Sequence, residues 1–510
     1  MGKEHYPHLD QTKLIETVHL PSIETFVLDI MNKKPVIITG YSQYLSEDLV
    51  PSWKWVGRNA DSADFEWKMW TPIFLNWLQY VTVYLIISLA LRKNHPYTVS
   101  VMSTAISFVW LWKMLGLQLT LFIYIQPVLF YWILKLSSLA IVWIVCIGFT
   151  LALHSSLFND LTGGLFEEHT HQEYFFSVLM AWTHARSISY LVDTRSFCGE
   201  HLIHKLGNFY HYCFYLPLLP SGPLLLYREF KQSLENPQSQ EQSWKHLLKS
   251  TALIARYLFW WFFHQLALHY FYHSALQYHP EIVQRLKIWP AAGLGYTLGQ
   301  FFMTKYLVLY GLPSALAKLD RVDSPPPPKC VGRIHLYSQM WRDFDRGLYN
   351  FMLNYIYIPC KGSSNAVWSK LAGTALCFSF VCIWHGASAA VVIWCVSNYI
   401  GICLETTAKY CSTLRPFADW KANWSTSNWL RFQAAAASPL LLMSALSNFC
   451  FFTDANVGYL LARKAVYDGG IVRLLCILAV MYCCCHVSMA LGRRNKKNVK
   501  LAHQDTNHEE

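Results

Sequence analysis

The sequence predicts an all-α polytopic membrane protein, and three observations carry that expectation. Of its 510 residues 54% are hydrophobic and only 14% are charged, against about 25% charged in an ordinary soluble domain. Several runs reach the roughly 18–20 apolar residues needed to span a hydrocarbon core: IFLNWLQYVTVYLIISLAL (73–91), SSLAIVWIVCIGFTLAL (137–153) and GIVRLLCILAVMYCCCHVSMALG (470–492). Short polar connectors alternate with these runs, and Lys and Arg collect beside them, as in LRKNH (91–95) and GRRNKKNVK (492–500). Helices are the expected form, because a helix satisfies its own backbone polar groups where no water is present.

Residues 1–70 differ from the rest. They hold no span-length run, since FVLDIMNKKPVIITGYSQYL is broken by Asp29, Asn32, Lys33 and Lys34, and the first twenty residues lack the apolar core of a signal peptide. Residues 71–492 form the transmembrane core, with roughly nine to eleven candidate spans and no internal repeat. Within it, 227–250 reads as an amphipathic helix followed by a Gln/Ser-rich loop on one membrane face. The segment 319–351 begins with the stiff stretch Pro325–Pro328 and then mixes aromatics with charges. It is too polar to cross lipid exposed, so it is expected as re-entrant or interfacial helix in the protein interior. Residues 493–510 are a basic tail, placed on the cytosolic side by its positive charge.

The net charge of +11 belongs with the membrane rather than with nucleic acid. Basic clusters beside apolar runs meet anionic headgroups, and no nucleic-acid-binding fold or aromatic–basic interleaving accompanies them. Fifteen cysteines lie mostly within apolar runs, as in YCCCH (482–486). They read as small hydrophobes or as acylation sites near a membrane face, not as a disulfide framework.

Chemistry-bearing residues stand out against this apolar background. FSFVCIWHGAS (378–388) carries His385 in the middle of an apolar run; an ionisable group at membrane depth is costly and is read by default as functional. A neutral imidazole there suits a general base, and Gly386 leaves room beside it. The competing reading is a packing histidine. Asp345, in RDFDRGLYNF, is either a functional carboxylate or a helix cap paired with Arg342 or Arg346, a surface role that fits Asp343 better. Asn448, in SALSNFCFF, must find a hydrogen-bond partner, either a reacting group or a neighbouring helix. His269 and His273, in HYFYH, have i, i+4 spacing and could face one another on a helix; with no third ligand nearby, lining a polar cavity is the expectation. EEHTHQE (167–173) reads as a solvated connector. No GxSxG, P-loop or dinucleotide fingerprint appears.

With those residues in hand, the chain resembles the membrane-bound O-acyltransferase family, and within it the Hedgehog acyltransferase branch. The stretches that carry the likeness are DSADFEW (61–67), PLLPSGPLLLYREF (217–230), KYLVLYGLPSALAKLD (305–320), KCVGRIHLYSQMWRDFDRGLYNF (329–351), FVCIWHG (380–386) and LSNF (446–449). The resemblance implies a fold of helices with re-entrant and interfacial pieces around a central tunnel. It implies that His385 is the catalytic histidine and Asp345 the second essential position. Cys330 matches the cysteine that ligates a haem b iron, and Trp341 and Asn448 fall where residues line the reaction cavity. The implied reaction is transfer of palmitate from palmitoyl-CoA to the N-terminal cysteine of a Hedgehog-type protein, as an amide, by a multi-pass protein of the endoplasmic reticulum or Golgi membrane. Similar insect enzymes also modify Spitz-type growth factors.

One group within the branch has leucine in place of the histidine and lacks the activity; this chain keeps both His385 and Asp345. It departs from the branch ahead of PSWKWVGRNADSADFEW, where members have an apolar helix and residues 1–50 here are polar. A variant topology set by the positive charge around Arg92 and Lys93 is one expectation, and a gene model wrong at its start is the other. Two further functions stay open at this stage: acylation of a lysophospholipid, sterol or secreted-peptide serine, and a non-catalytic membrane protein.

Overall fold

The computed structural model describes residues 45–506 apart from 46, 137, 156–157, 159–165, 167–168, 196–200, 236–243 and 454. Most of the polar N-terminal segment, most of the Gln/Ser-rich loop and the first two residues of EEHTHQE therefore lie outside the described residues. One two-residue antiparallel pairing, Leu49–Val50 (β1) with Ala60–Asp61 (β2), precedes the helices.

The first helix, α1, is Phe65–Leu91, followed by α2 (Pro96–Leu115), α3 (Leu117–Leu136), α4 (Leu139–Leu153) and α5 (His169–Thr194). Next come α6 (Leu202–Cys213), α7 (Tyr227–Glu235), α8 (Trp244–Ala267), α9 (His273–Leu276), α10 (Pro280–Arg285) and the long α11 (Ile288–Leu319). The polar segment folds as two short helices, α12 (Tyr337–Phe344) and α13 (Arg346–Met352), then a π-helical turn and α14 (Ile358–Lys361). The chain ends with α15 (Val367–Trp384), α16 (Ala389–Cys411), α17 (Arg415–Ala422), α18 (Thr426–Phe452), α19 (Ala455–Val466) and α20 (Gly470–Thr506).

Among the described residues, six helices are long and apolar enough to cross a membrane: α1, α2, α15, α16, α18 and the Gly470–Arg494 part of α20. Shorter apolar stretches, Leu117–Ile133 and Leu139–Leu153, belong to α3 and α4. That is fewer than the spans expected from hydropathy, and the reason is polarity. Helices α5, α8 and α11 are long enough, but α5 alone buries Thr183, His184, Arg186, Ser187 and Ser189 inside the protein. Two sequence boundaries also move. Helix α1 begins ahead of residue 71, because the Asp64 carboxylate caps it by accepting from the Trp67 N–H. At the other end α20 continues through the basic tail without a break.

Irregular backbone at membrane depth must be satisfied by the protein itself. Residues 214–226 meet that condition: the run is buried throughout and its carbonyls are taken by side chains. Trp77 Nε1 donates to Leu216 (2.9 Å), Ser107 to Phe214 (2.8 Å), Tyr212 to Leu225 (2.6 Å) and Arg186 to Leu218 (2.6 Å). The backbone of Leu224 in turn touches α13 at Gly347, where a Cβ would overlap its carbonyl oxygen. Only glycine permits that approach, and it seats the start of α13 against the core.

Two buried charge clusters fasten the helices. Asp320, at the end of α11, accepts from Tyr84 (2.7 Å), Tyr215 (2.6 Å), Ser88 and Arg92 (2.6 Å). Arg92 is thus turned into the protein, tying α1 to α11. At the start of α1, Asp64 and Glu66 are paired with Lys305, which lies midway along α11, each at 2.9 Å. Such groups are buried only because they are paired.

Candidate active site

A cavity of about 1260 Å³ opens between α1, α5, α11, α12, α15, α16, α18 and α20. Its lining is mainly apolar and aromatic, from Trp70 and Tyr174 to Ile477 and Val480. Polar groups reach it too, among them Glu66, His154, Tyr306, Tyr310, Asp345, His385, Asn398, Asn448, Lys464 and Arg473. An apolar hollow with few placed polar groups is the usual form of a small-molecule site.

His385 stands at the turn between α15 and α16. Its backbone N–H donates to Val381 (3.1 Å), closing α15, and Ser388 caps α16 by accepting from Val391. Between them Gly386 has φ 84° and Ala387 φ 49°, left-handed values that cost a residue with a side chain roughly 1 kcal/mol. The turn therefore holds the imidazole at a helix end instead of on a helix face. The ring is exposed, but to the cavity. It stands edge-on to Trp394 (5.9 Å) and to Phe451 (5.3 Å).

A ladder of hydrogen bonds fixes that aromatic wall. Trp394 Nε1 donates to Asn448 Oδ1 (2.9 Å), and Asn398 Nδ2 donates to the Trp394 carbonyl (2.8 Å). Trp341 Nε1 completes it by donating to Asn398 Oδ1 (3.0 Å). Asn448 and Trp341 thus both line the cavity, and the partner Asn448 needed is the indole of a neighbouring helix.

Asp345 lies where α12 ends and α13 begins. Its Oδ1 accepts from the Leu348 N–H (2.9 Å) as an N-cap, and its Oδ2 accepts from the Tyr310 hydroxyl (2.9 Å). Asp343 takes the ion pairs instead, with Lys329 (3.1 Å), Arg346 (3.2 Å) and Arg342 (3.4 Å). Both carboxyls belong to the short helices outside the membrane-crossing ones. Burial would raise Asp343, but Lys329 and the two guanidinium groups outweigh it and hold that carboxyl below its usual range. For Asp345 burial wins over the N–H and the hydroxyl it accepts from, and its carboxyl is pushed up. The wall continues from Tyr310 to Tyr306, whose hydroxyl donates to Glu66 (2.9 Å).

Cys330 is half-buried at the start of the 3-10 turn Val331–Arg333, next to the cavity residues Val331 and Gly332. His269 and His273 are placed otherwise than the spacing predicts. Helix α8 stops at Ala267 and His273 opens α9, so the two rings share no helix. Each turns back to a nearby carbonyl, His269 to Gln265 (2.9 Å) and His273 to Phe271 (3.2 Å). His269 is stacked on Trp53 and His273 lies against Phe301, and neither is among the residues lining the cavity. No group of three His, Cys, Asp or Glu placed to hold a metal ion occurs among the described residues.

The chain is similar to several known proteins. Protein-cysteine N-palmitoyltransferase Rasp of Drosophila melanogaster is 31% identical over 362 residues, covering 69% of this chain and 70% of its own length. Protein-cysteine N-palmitoyltransferase HHAT of Mus musculus is 27% identical over 453 residues, 85% of this chain and 89% of its own. The HHAT-like protein of Mus musculus is 25% identical over 465 residues, 86% of each. Residues 128–447, which include Asp345 and His385, match the model of one family, and the chain belongs to it: the membrane-bound O-acyltransferase (MBOAT) family.

Proposed function

We propose that this protein is a protein-cysteine N-palmitoyltransferase, moving palmitate from palmitoyl-CoA to the N-terminal cysteine amine of a Hedgehog-type secreted protein in the endoplasmic reticulum membrane. The observation that carries the reading is one apolar cavity with His385 and Asp345 on its wall, in a chain akin to two enzymes named for that activity. A palmitoyl chain favours such surroundings by about 0.8 kcal/mol per buried methylene, so the cavity holds the acyl group while its polar groups orient the thioester.

In the reaction a C–N bond forms at the thioester carbon and the C–S bond breaks. An acceptor amine has a reference pKa near 8 and arrives largely as the ammonium. His385, at the helix end and open to the cavity, takes the proton that makes it nucleophilic. Asp345, whose carboxyl is pushed up by burial, gives a proton to the departing sulfur of coenzyme A and is restored by the second proton that the nitrogen loses as the amide forms. Trp341, Asn398, Trp394 and Asn448 keep the aromatic wall behind His385 in register.

Incubation of purified protein with palmitoyl-CoA and peptides differing only in their first residue tests this. A peptide with free N-terminal cysteine gains an amide-linked palmitate that resists hydroxylamine, whereas the N-acetylated peptide stays unmodified. Equal labelling of both, or labelling of a lysophospholipid alone, contradicts the proposal.

We also propose that Cys330 would hold the iron of a haem b. Its sulfur is free and half-buried beside Gly332, which has no side chain to crowd such a group. Purified protein then shows a Soret band that Cys330→Ala removes, and an unchanged spectrum in the variant rules the ligand out.

A further inference from the structure

A second imidazole, His154, shares the cavity with His385. It follows the last residue of α4, and its Nε2 lies 3.3 Å from the Trp384 carbonyl oxygen. A carbonyl only accepts, so Nε2 carries the hydrogen and the neutral ring keeps its lone pair on Nδ1. That nitrogen sits over Gly386, 3.1 Å from where a Cβ would be. The ring thus flanks the turn that carries His385, and it is exposed.

Acyl transfer leaves a proton to be removed. When a thioester and an ammonium become an amide and a thiol, the nitrogen gives up two protons. One ends on the coenzyme A sulfur; the other has to leave. An apolar cavity cannot stabilise it, and a His385 still holding it cannot start another turnover. We propose that His154 is a proton-relaying positioning residue: its Nδ1 takes the surplus proton from His385, through one bridging water, and releases it to solvent from its exposed ring. The idea rests on the acyltransferase reading above.

The surroundings leave that task to the imidazole pair. On α15 the titratable group facing His154 is His385 itself. Helix α5 brings His171 and Glu173 near its start, and further along His184, which is buried between Phe130 and Phe149. On α3 the charged group is Lys135, next to Trp132 and the start of α4, at the far end from His154.

His154→Gln separates relay from clamp, because its amide N–H can still donate to the Trp384 carbonyl but cannot take up a proton. The expected result is a kcat/KM about tenfold below wild type near pH 6.5, where the acceptor is an ammonium. The gap closes by pH 9, where the acceptor arrives already neutral. His154→Ala shows the same pH-dependent loss plus a constant loss from the freed turn. Wild-type rates in His154→Gln at every pH, or a loss that is the same at every pH, overturn the relay. His385→Ala is measured alongside: if it retains activity, the base assignment fails whatever His154 does.

Discussion

His385→Ala lowers N-palmitoylation by about 10²–10⁴-fold, the usual worth of a positioned general base, while leaving the protein folded. The two halves of that result come from different features of the same turn. Folding is spared because the turn is held by backbone: Val381, Ile383 and Cys382 accept from His385, Gly386 and Ala387, and none of these bonds needs the imidazole. The ring faces the cavity, with edge contacts to Trp394 and Phe451, so truncating it opens no new void in the core. Activity falls because no other base replaces it. His154 is tied to the Trp384 carbonyl beside Gly386, and the rings next to His385 are those of Trp394 and Phe451. Transfer of an alkyne-tagged palmitoyl group to a cysteine peptide, with thermal unfolding of the same preparation, reads both halves. Activity within a few-fold of wild type removes His385 from the chemistry.

Much of this site was visible in the sequence, because it breaks the hydropathy pattern. His385 is costly in an apolar run, and so is Asn448, and both reach the cavity wall. The division between Asp343 and Asp345 was open in the sequence, since two carboxylates two residues apart among arginines look alike. What separates them is Gly347, which seats α13 against the Leu224 backbone and turns Asp345 toward Tyr310. Tyr310, Tyr306 and Trp394 were missed, since aromatics in an apolar helix read as core, and Asn398 was missed with them. A signal existed: Tyr306 and Tyr310 are one turn apart with hydroxyls that need partners. His269 and His273 mislead for the opposite reason. Spacing of four implies one face only where the helix is continuous, and here the helix stops before the first of them and a new one starts at the second.

Asp345→Asn loses transfer activity about 10²-fold or more while keeping wild-type stability, and the comparison with Asp345→Ala decides why the carboxyl is there. As an N-cap, asparagine is the equal of aspartate; its Oδ1 can keep the Leu348 N–H, and its amide can donate to the Tyr310 oxygen. Alanine forfeits the cap, worth about 1 kcal/mol, and strands a buried hydroxyl at a further cost of about 1–3 kcal/mol. If Asp345 served only to start α13, Asn would be silent in both assays and Ala would fail through instability. If it supplies the proton for the leaving sulfur, Asn fails as fully as Ala in the activity assay, because an amide has no such proton to give. Tyr310→Phe lies between the two, removing a donor from the carboxylate while leaving its proton chemistry in place. Stability is read from the unfolding midpoint in detergent and turnover from single-cysteine peptides; an Asn variant within threefold of wild type assigns Asp345 to the fold alone.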